Sequence, residues 1–538
     1  LATARGVAVA LAVAGGWFAA LGVFEHGARP FFTSDAAEFR GLANNLSRSS
    51  VTLITTVFGC LFFAIPLTAN IYSPQIIESF WRGRTNRLVL GLYVFSAANA
   101  VWLTSVPARD GDIPHLHLTV SFALVMASLF ILLPFLFSIF RLIDPESIIA
   151  RTAANVIETM RPPPGAKPRT YAPPEEVLPP DTIEDPEQTT AGVRRRASDQ
   201  TARMVLVDDS ATSADVERQE RLERRINELG AVLLRTLERG EREFAVDAVS
   251  GVVEAGRYWL EVKPCFGPET LGVDSRRLHG FSPAAIRLVN AERTWVDLML
   301  MQQLSRGFAS ALTRAPDVVS AIGRALRHYA LAATERGDDA VLRLTLRFLN
   351  NALRDAVKKL DLYAVYDLLF QCSELALRLW PTHPGSVLEM LRRADQYGRR
   401  ASAAGLVFAH ALVAYDFGRV LLTARPQDPR FGDLLRAYLA VSYDDASGGL
   451  HRLFVKARLV TASRLAAEGR RKEATAIVAS LEAASDEVFA SAAAEVAETV
   501  DPWFWEVTDR QENLDWLAPQ ARREFDAITA ARLGDEAS

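Results

Sequence analysis

Apolar residues are distributed unevenly along the chain. Four long, predominantly apolar runs, at residues 6–24, 51–72, 88–106 and 118–140, lie near the start, and nothing comparable follows them. Each is about twenty residues long, enough for a helix rising 1.5 Å per residue to cross a hydrocarbon layer of about 30 Å. None contains Asp, Glu, Lys or Arg. The pattern predicts four transmembrane helices within a membrane domain at residues 1–160. The first run follows Arg5 and contains Ala12, Val13, Ala14 and Gly15, which also suits a secretory signal with its cleavage site. Its apolar character continues to Phe24, longer than a signal core requires, and this favours a retained helix.

Beyond the fourth run the periodicity changes. Residues 141–160 are amphipathic and read as a continuation of the fourth helix, stopped by Pro162, Pro163 and Pro164. Residues 161–212 interleave proline with Glu, Asp, Thr and Ser, the composition of a disordered linker. From Ser213 apolar residues recur at three- and four-residue spacing almost to the end. Breaks near 263–281 and 381–386 divide this region, and Ser282 followed by Pro283 predicts an N-cap and first-turn proline. Short charged turns recur between helices, as at Arg239-Gly240, Arg336-Gly337, Lys358-Lys359 and Glu468-Gly469. Glycine there permits the left-handed residue that ends a helix. The fold class expected is all-α: four transmembrane helices followed by a cytoplasmic, irregular, solenoid-like array of helical repeats over 213–538.

Charge sets the expected orientation. Arg82, Arg84 and Arg87 lie between the second and third runs, and Arg141, Arg151, Arg161, Lys167 and Arg169 follow the fourth. Cytoplasmic loops carry such an excess, so both termini are expected in the cytoplasm. Arg29, Arg40 and Arg48 on the opposite side run against this assignment. The formal net charge of −4 gives no reason to expect nucleic acid. Cys60, Cys265 and Cys372 have spacings that suit neither a disulfide framework nor a zinc cluster.

Two blocks carry a family resemblance. One is Tyr72-Ser73-Pro74-Gln75-Ile76-Ile77, then Phe80 and Arg82-Gly83-Arg84, then Val89-Leu90-Gly91; the other is Pro114-His115-Leu116 with Thr119-Val120. Over roughly residues 30–160 the chain resembles bacterial predicted membrane proteins of the family called domain of unknown function 2254. The resemblance implies a bacterial integral membrane protein and implies no activity.

Several constellations are candidates for chemistry. Ser49, Thr52, Thr56, Gly59, Phe63, Pro66 and Asn70 share one face of the second span. That face suits either close packing on neighbouring helices or the wall of a pore with Phe63 as its constriction. No ionisable residue lies at the middle of any span, which argues against an ion-coupled transporter. Asp110, Asp112, His115 and His117 offer metal-ligand chemistry, and a polar loop capping the fourth helix is the plainer reading. Ser198 after Arg194, Arg195 and Arg196 is a candidate phosphosite within what is otherwise a solvated basic cluster. Met204 to Ser210 echoes the opening of a receiver domain, but a charged helix follows where alternating strands and helices are required. Trp503, Phe504, Trp505 and Trp516 suit a cap on the helical array or a contact with a partner.

No nucleophile–base pair, phosphate loop or dinucleotide fingerprint is present in the sequence. The reading is therefore a non-enzymatic scaffold or interaction protein of the bacterial inner membrane, requiring no cofactor or metal. Its expected partners are the lipid bilayer, a cytoplasmic protein and other copies of itself. An oligomeric channel lined by the second span is the alternative.

Overall fold

A computed structural model describes residues 35–71, 84–107, 114–168, 213–273, 282–441, 448–503 and 513–534. Every regular element of more than one residue among them is helical. The chain divides into two compact units at Ile148 and Ile149.

The first unit contains α1 (Ala36–Ile71), α2 (Arg84–Ser105) and α3 (His115–Ile143). Each is long and apolar enough to cross a membrane. These correspond to the second, third and fourth apolar runs; the first run lies outside the described residues. Helix α1 begins well before residue 51, so Arg40 and Arg48 lie on a helix and not in a loop. The cause is local: Asp35 caps the helix by accepting the Ala37 amide at 2.8 Å, and Ala36, Phe39 and Ala43 form a buried stripe at helical spacing. At 36 residues α1 is about 54 Å long, more than a hydrocarbon core needs. Its inner face continues through Val57 and Leu61, which pack with Leu90, Tyr93 and Phe135 of α2 and α3.

Polar bonds supplement this packing. Asn99 donates its side-chain amide to the Ser121 hydroxyl, Tyr93 donates to the Ser128 carbonyl at 2.9 Å, and the Ser50 and Ser96 hydroxyls approach to 3.4 Å. Apolar surface alone cannot drive helices together in lipid, so such interhelical bonds add to the close fit of small residues.

Helix α4 (Pro145–Thr159) follows and carries the chain across the boundary into the second unit. Only Asp144 separates it from α3, and that residue ends one helix and starts the next. Its carboxylate accepts the Ser147 amide at 3.2 Å and the Ser147 hydroxyl at 2.9 Å, while Pro145 occupies the first helical position. Residues 141–160 are therefore not one run-on helix. Ile149, Ala153, Val156 and Met160 belong to the core of the second unit.

That core is built by helices stacked in pairs: α5 (Ser213–Arg239) with α6 (Arg242–Val262), then, beyond the short α7 (Pro268–Leu271) and α8 (Pro283–Glu292), α9 (Trp295–Arg314) with α10 (Pro316–Glu335). Next come α11 (Asp339–Lys359) with α12 (Leu362–Leu379), and α13 (Pro384–Ala403) with α14 (Val407–Thr423). Each pair packs on the next: α6 on α10, α10 on α12 and α12 on α14. The chain finishes with α15 (Phe431–Ala440), α16 (Gly448–Ala467), α17 (Arg471–Ala479), α18 (Asp486–Glu498) and α19 (Pro519–Leu533). A second cluster around Phe489 and Phe525 joins α16, α18 and α19.

The expected start of α8 is present, with the Ser282 hydroxyl accepting the Ala285 amide at 3.2 Å. Gly240, Gly337 and Gly469 all take positive φ, as the charged turns required. In the turn between α11 and α12 the same left-handed conformation falls on Leu360, at φ 53°.

One glycine sets the distance between two helices. A Cβ on Gly256 of α6 would lie 2.1 Å from the Tyr329 ring of α10, whereas one on Gly432 of α15 would meet nothing. Gly256→Ala is expected to destabilise the second unit by about 1–3 kcal/mol through overpacking. Gly432→Ala should leave stability unchanged or slightly raised. Equilibrium urea denaturation of the two variants distinguishes them, and equal midpoints would contradict the packing described.

Candidate functional site

Residues of α6 and α10 flanking this close approach, with Ile157 of α4, line a depression. It is an open groove of about 670 Å³. Its floor is small and apolar, with Val249, Val253, Ala321 and Ala325. Helical spacing explains the lining, since Val249 and Val253 stand one turn apart on α6 and Ala321 and Ala325 one turn apart on α10. The rim is charged. Arg257 comes from α6, Arg324 and His328 from α10, and Arg336, past the end of α10, reaches Glu261 at 3.6 Å. Glu254 and Glu335 complete it.

The cations act together on one histidine. Partial burial together with the charges of Arg327, Arg324 and Arg257 holds the His328 imidazole below its usual range. It is therefore neutral near pH 7. The Ser250 hydroxyl is engaged with the Val246 carbonyl at 3.0 Å and is not presented as a nucleophile. Chemically, the groove offers an apolar surface with charges of both signs at its edge, a setting for holding a ligand.

Below one end of the groove lies a buried ion network. Lys263, just past α6, places its ammonium 2.6 Å from Asp338 and 3.2 Å from Asp297. Asp297 of α9 also accepts the Tyr329 hydroxyl at 2.6 Å and the Trp259 indole N–H at 3.4 Å. Asp338 caps α11 through the Val341 amide at 3.1 Å. Burial works against the charged form of Lys263, but the two carboxylates outweigh it and raise its pKa. Burial raises Asp297, countered in part by Lys263, and burial with the adjacent carboxylate pushes Tyr329 far up. The network positions α6, α9, α10 and α11 beneath the groove.

A second network is similar, with two carboxylates and a tyrosine around a lysine. Lys456 of α16 lies 2.6 Å from Asp515 and 2.9 Å from Glu495, and Asp515 accepts the Tyr415 hydroxyl. Neither network was anticipated from the sequence. Lys263 falls in a stretch read as an irregular break, and the partners of both lysines are distant along the chain.

The residues singled out by sequence fall elsewhere. On α1, Ser49, Thr52 and Thr56 are exposed, Gly59 is half-buried and Phe63 is 83% exposed. This face turns away from α2 and α3, and its hydroxyls are satisfied within α1: Thr52 donates to the Arg48 carbonyl and Thr56 to that of Thr52, both at 2.9 Å. Pro66 and Asn70 lie on the same helix, with side chains outside the described set. His115 and His117 are not extended; both sit in the first turn of α3, where a two-residue step points them in different directions. Asp110, Asp112 and Ser198 lie outside the described residues. Trp503 is 64% exposed, while Trp516 is half-buried with its carbonyl accepting Arg464 at 2.7 Å.

These features define an all-helical membrane protein. Over residues 3–220 the chain matches the family model described as Predicted membrane protein (DUF2254). The match takes in all three described spans, α4 and the first turns of α5, a longer stretch than the two blocks that carry the resemblance. No curated protein and no solved structure matches the chain.

Replacing Lys263 with methionine keeps the side-chain volume and strands Asp297 without a counter-ion. Lys263→Met is expected to destabilise the second unit by about 3–5 kcal/mol. A loss below about 1 kcal/mol in urea denaturation would show that the network does not organise these helices.

Proposed function

We propose that this protein is a non-enzymatic, membrane-anchored scaffold whose helical array binds a cytoplasmic partner. The observation that carries the reading is the groove between α6 and α10: a preformed concavity with an apolar floor and a charged rim, on helices pinned from below. Residues 6–24 serve as a fourth span in this reading, and both termini lie on the cytoplasmic side of a bacterial inner membrane. The paired helices beyond residue 213 act as an irregular solenoid, an architecture that presents extended concave surfaces. The chain needs no cofactor for this role.

Photo-crosslinking in cells tests the reading. A benzophenone side chain at Ala321, on the groove floor, should give a discrete protein adduct that is lost when Arg257 and Arg324 are both changed to Ala. The same probe at Arg523, on the exposed side of α19, serves as the control. Adducts that match those at Arg523 would contradict binding in the groove.

A specific observation supports a second reading. The hydroxyl-bearing face of α1 is covered by neither α2 nor α3. In an oligomer, this face from several copies would line a conduction path, with Phe63 as its hydrophobic constriction. Planar-bilayer recording should then show conductance altered several-fold by Phe63→Ala and by Thr56→Val. Silence, or conductance indifferent to both changes, excludes the pore and leaves the scaffold.

A further inference from the structure

The outward faces of the three described spans differ in kind. On α3 the exposed side chains are Phe130, Leu133 and Phe137, and on α2 they are Leu88, Val94, Val101 and Trp102. Bulky apolar groups of this sort suit contact with lipid tails, which are as apolar as leucine. The exposed side of α1 carries Thr52, Thr55 and Thr56 instead, one turn before the half-buried Gly59. Thr55, like its two neighbours, bonds back to its own helix, donating to the Val51 carbonyl at 2.8 Å. A Cβ on Gly59 would meet nothing within 4 Å. Such a surface is smooth and lets another backbone come close, the usual basis of helix–helix contact in a membrane.

The sequence supplies an occupant. Residues 6–24, outside the described residues, contain no ionisable side chain and place Ala8, Ala12, Gly16 and Ala20 at four-residue spacing. On a helix these positions share one face, and small residues so spaced are what closely packed helices use in lipid. The family match begins at residue 3 and takes in this run. Its connection to α1 is residues 25–34. Extended, these would reach about 33 Å, more than the about 23 Å that α1 rises from Ala36 to Val51. Both runs need the same hydrocarbon layer, and each meets a charge at this end: Glu25 follows Phe24, and Arg48 precedes Val51. Antiparallel helices with Phe24 beside Val51 satisfy both. That register sets Ala20 opposite Thr55, Gly16 opposite Gly59 and Ala12 opposite Phe63, so the bulkiest group on the α1 face meets a methyl. Glu25 then falls near Arg48, which is exposed and pairs with no acid among the described residues.

We infer that the hydroxyl and glycine face of α1 is the docking surface for residues 6–24 of the same copy, packed antiparallel with Gly16 against Gly59. The inference rests on the reading of residues 6–24 as a fourth span. It fills the α1 face from within one chain, so that this face lines no conduction path.

Disulfide trapping in membranes tests it. The full chain carries an epitope ahead of residue 6, a protease site within residues 25–34, and Cys60→Ser. The test pairs are Ala20→Cys with Thr55→Cys, two small changes, and Gly16→Cys with Gly59→Cys. Gly16→Cys with Leu133→Cys, on the outward side of α3, is the control. After protease treatment without reductant, the epitope should stay with the rest of its chain several-fold more in a test pair than in the control, because packed helices hold the two thiols at high effective concentration. Reductant should release it. Trapping in neither pair above the control, with the epitope on a membrane-bound fragment, overturns the inference and leaves the fourth span standing. An epitope missing before protease treatment overturns both. Trapping only between two chains, at the mass of a dimer, overturns the inference and assigns the face to an oligomer.

Discussion

A lysine ammonium removed from water must be met by carboxylates, and that requirement organises the second unit. Lys263 satisfies it with Asp297 and Asp338, which come from different helices and are themselves fixed by Tyr329, Trp259 and the capped amide of Val341. Four helices thereby share one register. Apolar packing alone tolerates sliding, because one leucine resembles another, whereas a buried charge has only one acceptable position. Lys456 repeats the device near the C-terminus with Asp515, Glu495 and Tyr415. Between these two points the helices stack pair on pair, and the groove is lined by α6 and α10, which the first network helps to hold.

The same logic joins the array to the membrane. Asp144 ends a spanning helix and caps an amphipathic one, so the chain passes from lipid-compatible to water-compatible structure within a single residue. Helix α4 then places its apolar face in the second core.

Much of this was legible in the sequence, and the exceptions are instructive. Long apolar runs identify spanning helices because lipid admits few alternatives for a single segment. Their ends were less clear. The stripe of Ala36, Phe39 and Ala43 is diluted by the polar residues of a helix that extends past the hydrocarbon, and the cap at Asp144 was hidden inside a continuous amphipathic pattern. The glycine turns and the Ser282 cap were readable because each depends on one or two local residues. The groove and the ion networks were not, since Arg257 meets Arg324, and Lys263 meets Asp297, only after helices distant in sequence have packed. The spacing of Ser49, Thr52 and Thr56 places them on one side of α1, but the direction of that side depends on where α2 and α3 lie, which no periodicity within α1 contains.

The membrane anchor ends and the helical array begins just past the Asp144 cap, at the boundary between the two units. Expression of residues 145–538 alone, with fractionation and thermal unfolding followed by circular dichroism, tests it most directly. The account predicts a soluble, strongly helical fragment that melts cooperatively, while the full chain remains in carbonate-washed membranes. A fragment that pellets with membranes or lacks a cooperative transition would contradict it, as would a full chain released by carbonate.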